Sequence, residues 1–367
     1  MATAGAHAAM SGPVTVLHLI NTMEWGGVRK HVLDLADGLT AHGVRSCIAA
    51  WIPPGDILHG DPRVTHLPLY GAESSTKSPS GFLAAIRTLR LMLQQEEVQI
   101  LHMHSRYATL LGSLAVRGKR VHRVYTVHNT FDDLRWLPWY PPDVIAPALS
   151  VQEHFLERQR GAEHRRMRVI AHGVSIPTLE QIFPELSPRF CFAGRLCEEK
   201  GVRILYSALL RLRDAGARLP VVDIIGNGPL FKWLQENVKL DFSSDSIRLH
   251  GHVDNPAALI AGATALIFPS VRLDSAPYIT LEAMALGVPV IASDLEVLRH
   301  LVLPNETGVT FPAGNSAALA EAMQHAMAEP DAMRDMGLRG RDLVQERFGI
   351  ERMCAETAAF YRTVMQS

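Results

Sequence analysis

The stretch VTVLHLINTMEWGGVRKHVLDLADGLTAHGVRSCIAA, Val14 to Ala50, decides the fold class. Two β-rich runs, VTVLHLI (Val14 to Ile20) and RSCIAA (Arg45 to Ala50), flank Val28, Val32, Leu35, Ala36 and Leu39, which repeat at helical spacing. Gly43 follows as a helix stop. A strand, a crossover helix and a second strand form one βαβ unit, so the sheet is expected to be parallel.

The same alternation continues outward from this unit. VQILHM (Val98 to Met103), RVYTV (Arg123 to Val127) and DVIAPALS (Asp143 to Ser150) read as further strands. The pattern lapses in the proline-bearing GVSIPTLEQIFPELSP (Gly173 to Pro188) and restarts with FCFAG (Phe190 to Gly194). A second α/β half follows, with a helix over Val202 to Ala215, a further helix after Pro229, and strands at Val221 to Ile225, Ser246 to His250, Ala265 to Pro269 and Pro289 to Ala292. Arg339 to Gln366 reads as helical and amphipathic, with a final part able to cross back onto the first half. The expected organisation is a disordered leader over 1–13, a first Rossmann-like domain over 14–178 and a linker over 179–188. A second Rossmann-like domain over 189–350 and a helix over 351–367 returning to the first domain complete it.

Composition narrows the function. The chain has 367 residues, 47% of them hydrophobic, enough for two cores and incompatible with a disordered or disulfide-stapled module. Lys and Arg number 36 against 37 Asp and Glu, and this balance excludes a protein that coats nucleic acid. Cys47, Cys191, Cys197 and Cys354 have no CxxC spacing and read as free thiols of a reducing compartment, so a cytoplasmic location is expected. The longest uncharged stretch, Asn255 to Val271, is short for a membrane span and contains Pro256 and Pro269. Any membrane contact is therefore expected to be peripheral, at the inner face. Residues 1–180 carry 18 Lys and Arg against 15 Asp and Glu. Their groups Arg117, Lys119, Arg120, Arg123 and Arg158, Arg160, Arg165, Arg166, Arg168 fit either a solvated face or an anionic membrane or acceptor surface.

Several segments carry chemistry. Gly26 and Gly27 lie between the first strand and its helix, where free N–H groups and the positive helix end can meet an anion. The spacing is neither a dinucleotide fingerprint nor a P-loop. FAGRLCEEKGVRIL sets Arg195 and Lys200 just beyond a strand, suited to neutralise a diphosphate, although Lys200 could instead pair with Glu198 or Glu199. IIGNGP adds a glycine turn at Gly226. FPSVRLDSAPYITLEAMALGVPVIASD (Phe268 to Asp294) places Asp274 and Glu282 around a turn into a helix. There Glu282 can accept ribose hydroxyls, and the N–H groups of Ala276, Pro277's successor Tyr278, Ile279 and Thr280 can meet phosphate or sugar oxygens. His102 and His104 share one side of a strand, but no Cys or carboxylate at ligand spacing accompanies them, so a polar network is expected and no metal. FDDLRWLPWYPP supplies Trp136 and neighbouring aromatics for an acceptor platform, a membrane interface or burial.

GGVRKHVLDLADGL, TVHNTF, VIAHGVSIP, FAGRLCEEKGV, GNGP and PSVRLDSAPYITLEAMALGVPVIASD, in this order, resemble the retaining nucleotide-sugar glycosyltransferases of family four. The resemblance covers nearly the whole chain and implies the two-Rossmann GT-B fold, with parallel sheets facing a central cleft. It implies that Gly26, Gly27 and Gly226 border the donor, that Arg195 and Lys200 bind its phosphates, that Glu282 binds its ribose, and that Pro277 opens the donor-binding helix. His128 matches the active-site histidine and Asp274 the first acid of the family's Glu pair, so His128, Asp274, Arg195 and Lys200 are the catalytic candidates. Trp25, His104, Arg106 and Trp136 are placed on the acceptor side. The chain departs from the family pattern at Asp274 in place of Glu, at Ser-Ala-Pro after it, and at His172 in place of Asn.

The activity implied is transfer of a sugar from a UDP- or GDP-sugar to a glycan, lipid-linked or small-molecule acceptor, retaining and without a metal or cofactor. The setting implied is cell-surface polysaccharide or glycolipid biosynthesis. Two alternatives stay open on sequence: a GT-B epimerase that needs no acceptor, and a non-catalytic partner subunit that binds nucleotide sugar.

Overall fold

The computed structural model describes residues 13–67, 79–128, 140–159, 161–178, 188–242, 246–272 and 277–367. Among these, seven parallel strands build a first sheet: β1 (Val14–Thr22), β2 (Val44–Trp51), β3 (Val64–His66), β4 (Ile100–Met103), β5 (His122–Thr126), β6 (Asp143–Ala146) and β7 (Arg166–Val169). Their order is β3-β2-β1-β4-β5-β6-β7. Six parallel strands form the second: β8 (Arg189–Ala193), β9 (Val221–Ile225), β10 (Ile247–Gly251), β11 (Ala265–Phe268), β12 (Val290–Ser293) and β13 (Gly308–Phe311), ordered β10-β9-β8-β11-β12-β13.

Helices α1 (Gly27–Gly38), α2 (Pro79–Gln95), α3 (Arg106–Ala115) and α4 (Leu149–Arg158) belong to the first half. The second holds α5 (Val202–Asp214), α6 (Phe231–Asp241), α7 (Ala257–Ala261), α8 (Tyr278–Ala285), α9 (Ser316–Ala328) and α10 (Pro330–Arg347). The closing helix is α11 (Ile350–Met365). Both sheets are doubly wound, and in each the strand order reverses once, between β1 and β4 and between β8 and β11. Such reversals open crevices at the carboxyl ends of the strands, where ligands bind.

Alternation along β1 separates two cores. Leu17 and Leu19 pack towards α2, α3 and α4, whereas Val16 packs with Leu35 of α1 and with Met353, Ala358 and Tyr361 of α11. His18 lies on the Val16 side, opposite Leu17, and is buried. The chain crosses between halves twice, and the two crossings pair: Val174 N–H donates to Phe348 O at 2.9 Å and Ile350 N–H to Val174 O at 3.2 Å. A Cβ on Gly173 would lie 2.8 Å from Ile350 Cα, so only glycine allows this approach.

The tail forms two helices, α10 and α11, parted at Gly349, which takes an extended conformation (φ −68°, ψ 144°) where the chain crosses back. One local expectation needs correction. The strand read over Asp143 to Ser150 ends at Ala146, and Leu149 already opens α4.

Candidate functional site

The crevice of the first half begins where β1 ends. Gly26 caps α1 with φ 158° and no side-chain partner, and Lys30 N–H closes the first helical bond to Gly26 O at 3.2 Å. The loop is braced from below by buried Arg29, which donates to Met23 O at 2.7 Å and forms a two-pronged ion pair with Asp56. The Arg29 guanidinium also stacks 3.9 Å from the centroid of the Trp25 ring. Trp25 is 49% exposed and its ring lies 4.7 Å from that of His252 in the second half.

Gly27 faces α8 directly. A Cβ at Gly27 would sit 3.4 Å from the Cβ of Tyr278, so the amino ends of α1 and α8 meet across the cleft. Next to this junction the Lys30 ammonium lies 3.1 Å from Asp34 and 3.8 Å from Glu282. Burial pushes the Glu282 and Asp34 carboxyls above the usual range, and Lys30 partly offsets it. Thr280 is fully buried and its hydroxyl and N–H both donate to Pro277 O, at 2.7 and 3.0 Å, so both protons are committed within the turn.

The second crevice is held by backbone. Leu196 N–H donates to Asn227 O at 2.9 Å, and Leu230 N–H to Leu196 O at 2.9 Å, which ties the Arg195 loop to the turn after β9. Gly226 (φ 133°) lies so close to Gly194 that a Cβ would fall 2.0 Å from its oxygen. Gly201 (φ 70°) ends the short turn carrying Lys200, and its Cβ would fall 1.8 Å from Pro269 O. Arg195 is exposed and Lys200 half-buried. Burial lowers the Lys200 ammonium's pKa, and Nζ lies 5.6 Å from the Phe268 ring centroid. Glu198 is committed to Arg203 at 2.8 Å. Val271 N–H donates to Glu199 O at 2.9 Å, linking the strand-end loop of β11 to the same turn.

At the carboxyl ends of β1, β4, β5 and β7 the first half gathers six histidines. His128 Nε2 lies 3.0 Å from His104 Nδ1, His104 Nε2 lies 3.1 Å from His18 Nδ1, and His18 Nε2 lies 3.3 Å from Ser46 Oγ. His102, adjacent to His18 in register, bonds Tyr361 Oη at 2.6 Å and Thr126 Oγ1 at 2.7 Å. His31 of α1 and His172 lie 4.4 Å apart by ring centroid, and the His172 ring is parallel within 17° to that of His128. Tyr278 Oη donates to Gly173 O at 3.1 Å and meets His31 Nδ1 at 3.4 Å.

All six rings are buried. Burial pushes His18 and His172 down to about 3, and it holds His31, His102, His104 and His128 well below the ordinary value, with mutual repulsion adding to it. At neutral pH the floor of this crevice is thus a set of uncharged donors and acceptors.

The structure therefore brings His104, His128, Gly27 and Tyr278 together, and sets Arg195, Lys200 and Gly226 around the other switch point. Arg106 opens α3 behind Ser105, which caps that helix and donates to Asn21 Oδ1 at 2.6 Å. Ile279 is half-buried in the first turn of α8. Asp274, Ala276 and Trp136 lie outside the described residues. The sequence reading missed His18 and His31 as site residues, and noted His172 only as a departure. A signal existed: histidines stand within or just after β1, β4, β5 and β7, in LHLI, LHMH, TVHN and IAHG.

Residues 25–176 match the family model described as Glycosyltransferase Family 4, and residues 187–329 match Glycosyl transferases group 1. The phosphatidyl-myo-inositol mannosyltransferase of Mycobacterium leprae (strain TN) is 26% identical, over 93% of this chain and 94% of its own length. Among solved structures, the sucrose-phosphate synthase of Thermosynechococcus elongatus superposes with a TM-score of 0.80 at 19% identity, covering 96% of this chain and 99% of that one. HepE of Anabaena, solved with UDP and glucose, superposes with a TM-score of 0.78 at 16% identity, covering 95% of this chain and 100% of its own. With the two family matches lying on the two doubly wound sheets, the chain belongs to the family-four-like glycosyltransferases of the GT-B fold.

Proposed function

We propose that the chain is a retaining, metal-independent glycosyltransferase that moves a sugar from a UDP- or GDP-activated donor to a carbohydrate or lipid-linked acceptor. Its setting is cell-surface polysaccharide or glycolipid biosynthesis. The observation that carries this reading is the division of chemistry across the cleft: cations and backbone turns at one switch point, neutral imidazoles at the other. The Mycobacterium leprae relative is named as a mannosyltransferase for phosphatidyl-myo-inositol, a phospholipid, and the HepE structure holds UDP and glucose.

In this reading Arg195 and Lys200 take the donor diphosphate, with the amino end of α1 at Gly27 beside it. Glu282 accepts the ribose hydroxyls, and Asp274 stands near the donor sugar. Charge that builds on the leaving diphosphate as the glycosidic bond breaks meets fixed cations already in place, which lowers the barrier without solvent reorganisation. The leaving phosphate receives the proton of the acceptor hydroxyl on the same face, so configuration is retained. His128 holds a sugar hydroxyl through an uncharged ring. Trp25, His104, Arg106 and Trp136 border the acceptor. Among the described residues no helix is long and apolar enough to cross a membrane, so a lipid-linked acceptor would be met from the membrane surface, with the Arg117 to Arg123 group as the contact.

The test is turnover on a panel of UDP- and GDP-sugars with and without candidate acceptors, scored by released nucleotide and by product anomer. Acceptor-dependent release with a retained anomer is expected. Isomerised donor without acceptor, or nucleotide binding with no release from any donor, would replace this reading.

A further inference from the structure

We propose that His31, His104 and His128 form a binding site for one divalent first-row transition cation, of which zinc is the type. One ligating atom from each of these three residues lies within 4.8 Å of the others, and all three are buried. Zinc–nitrogen bonds of about 2.0–2.1 Å in a tetrahedron set ligand nitrogens near ~3.4 Å apart. The His104–His128 pair, at 3.0 Å, is already close to that spacing, and the His31 atom lies within 4.8 Å of both.

The orientation of the lone pairs favours this triad. Tyr278 donates its hydroxyl proton to Gly173 O, so His31 Nδ1 is the donor towards Tyr278 Oη and Nε2 carries the lone pair. That Nε2 is buried and has no hydrogen-bond partner among the described residues. An orphaned acceptor of this kind costs free energy and is an observation that needs a ligand. His104 can donate from Nε2 to His18 Nδ1, and His18 from Nε2 to Ser46 Oγ, which leaves the His104 Nδ1 lone pair facing inward. For His128, moving the single ring proton from Nε2 to Nδ1 frees Nε2. Three neutral imidazoles then offer three lone pairs with no net loss of protons. Two of the outward nitrogens are held by Tyr278 and His18, the outer support that metal-binding histidines require.

The neighbouring triad of His18, His102 and His104 satisfies the same distance. Both nitrogens of His102 are engaged, at 2.6 and 2.7 Å, and both of His18 are bonded as well, so that triad has no counterpart to the unpartnered His31 Nε2. An all-imidazole donor set selects zinc, copper or nickel over magnesium or calcium, which need oxygen ligands. Under the glycosyl-transfer reading the cation and the sugar compete for His128, so occupancy inhibits; that consequence alone rests on the proposed function.

Full-length protein carrying no polyhistidine tag is stripped with chelator, and Zn²⁺ affinity is measured against a chromogenic chelator while Co²⁺ reports geometry by its visible spectrum. One equivalent bound with a four-coordinate cobalt spectrum is expected. His31→Gln should weaken binding by at least about a hundredfold, beyond the range for loss of a supporting partner, and Tyr278→Phe by about tenfold. Tyr278→Phe retains all three ligands and decides the matter if His31→Gln fails to fold. The surface pair variant His59→Gln/His66→Gln should bind like wild type. Absence of an equivalent, unchanged affinity in His31→Gln or, where that variant is unfolded, in Tyr278→Phe, or loss in the surface pair variant would overturn the site. Inhibition by Zn²⁺ relieved by EDTA is read separately: binding without inhibition leaves the site standing and counts against His128 as a sugar contact.

Discussion

The two crevices share a strand order and a place in it, yet they are floored by different materials. The first is side-chain chemistry on the sheet's end: six buried, uncharged imidazoles, of which His18, His104 and His128 bond one another, His102 bonds Tyr361 of α11, and His31 and His172 join by ring contact. The second is backbone and fixed charge: Gly201 and Gly226 in positions no side chain can occupy, with Arg195 and Lys200 set by the turns they create. Phosphate needs a field that does not reorganise, which glycine turns and permanent cations provide. Sugar hydroxyls need directional partners without net charge, which neutral histidines provide.

Acidification should break this comparison most visibly. Burial holds His18 and His172 at about 3 in the fold, whereas the unfolded chain takes up protons near the ordinary 6.5. Between those values the unfolded state binds more protons, so stability is full above pH 6.5 and falls as pH drops towards 3. At pH 5 each of these two rings accounts for roughly 2 kcal/mol, from 1.36 kcal/mol per unit. Urea unfolding of chelator-treated protein at pH 7.5 and 5, followed by hydrogen exchange, should show the loss concentrated in β1, β4 and β5. Equal loss in β8 and β9 would remove the contrast.

Gly201→Ala attacks the other side. Its Cβ would meet Pro269 O at 1.8 Å from a left-handed backbone, and a destabilisation on the order of 3 kcal/mol or more is expected, with nucleotide binding lost. Gly27→Ala, whose Cβ would find Tyr278 at an ordinary 3.4 Å, should be far milder. Thermal melts of the two variants side by side test whether the Gly201 turn tolerates a side chain less than the Gly27 turn does.

His128→Ala should lower kcat about a hundredfold or more while leaving nucleotide affinity nearly unchanged. Single-turnover rates beside melts decide: a variant that is destabilised but turns over normally is a structural histidine. Arg195→Ala and Lys200→Ala should do the reverse, each weakening nucleoside diphosphate binding by roughly 1.5–3 kcal/mol in a folded protein. Unchanged UDP and GDP affinity in both, by calorimetry, would refute the assignment of phosphate to the second crevice.

The difference between crevices also explains what could be read from the sequence. The two-sheet architecture was legible because buried parallel strands such as FCFA and ALIF are apolar on both faces, and FCFA runs into a glycine turn at Gly194. Gly26 and Gly226 stood out as glycines in a strand-to-helix turn, and Gly201 as one leading into a helix. The short edge strands β3 and β7 escaped, because VTH and RMRV pack on one neighbour and need little apolar character. The histidine floor escaped because it is made by register: His18 meets His102 across 84 residues only once β1 pairs with β4. His31 joins them from a helix, and a period-two strand pattern cannot anticipate that.

The smallest effect expected is that of Tyr361→Phe, and it tests how far the histidine floor reaches. Tyr361 lies on α11, the last element of the chain, and is fully buried against His102 with its hydroxyl 2.6 Å from Nδ1. The variant keeps the ring and its packing and deletes one partner, so His102 Nδ1 becomes an unmatched polar atom in the core at a cost of about 1–2 kcal/mol. His102 touches His104 ring to ring at 4.2 Å, and His104 holds His128, so the loosening is passed to the candidate active-site histidine. A purely structural tyrosine predicts a lower melting temperature and normal kcat. The connected floor predicts a lower melting temperature with a several-fold drop in kcat and no change in nucleotide affinity, because Arg195 and Lys200 are anchored to the other sheet. A change in nucleotide affinity instead would mean that the two crevices do not divide the work, and a kcat equal to wild type would end the floor at His102.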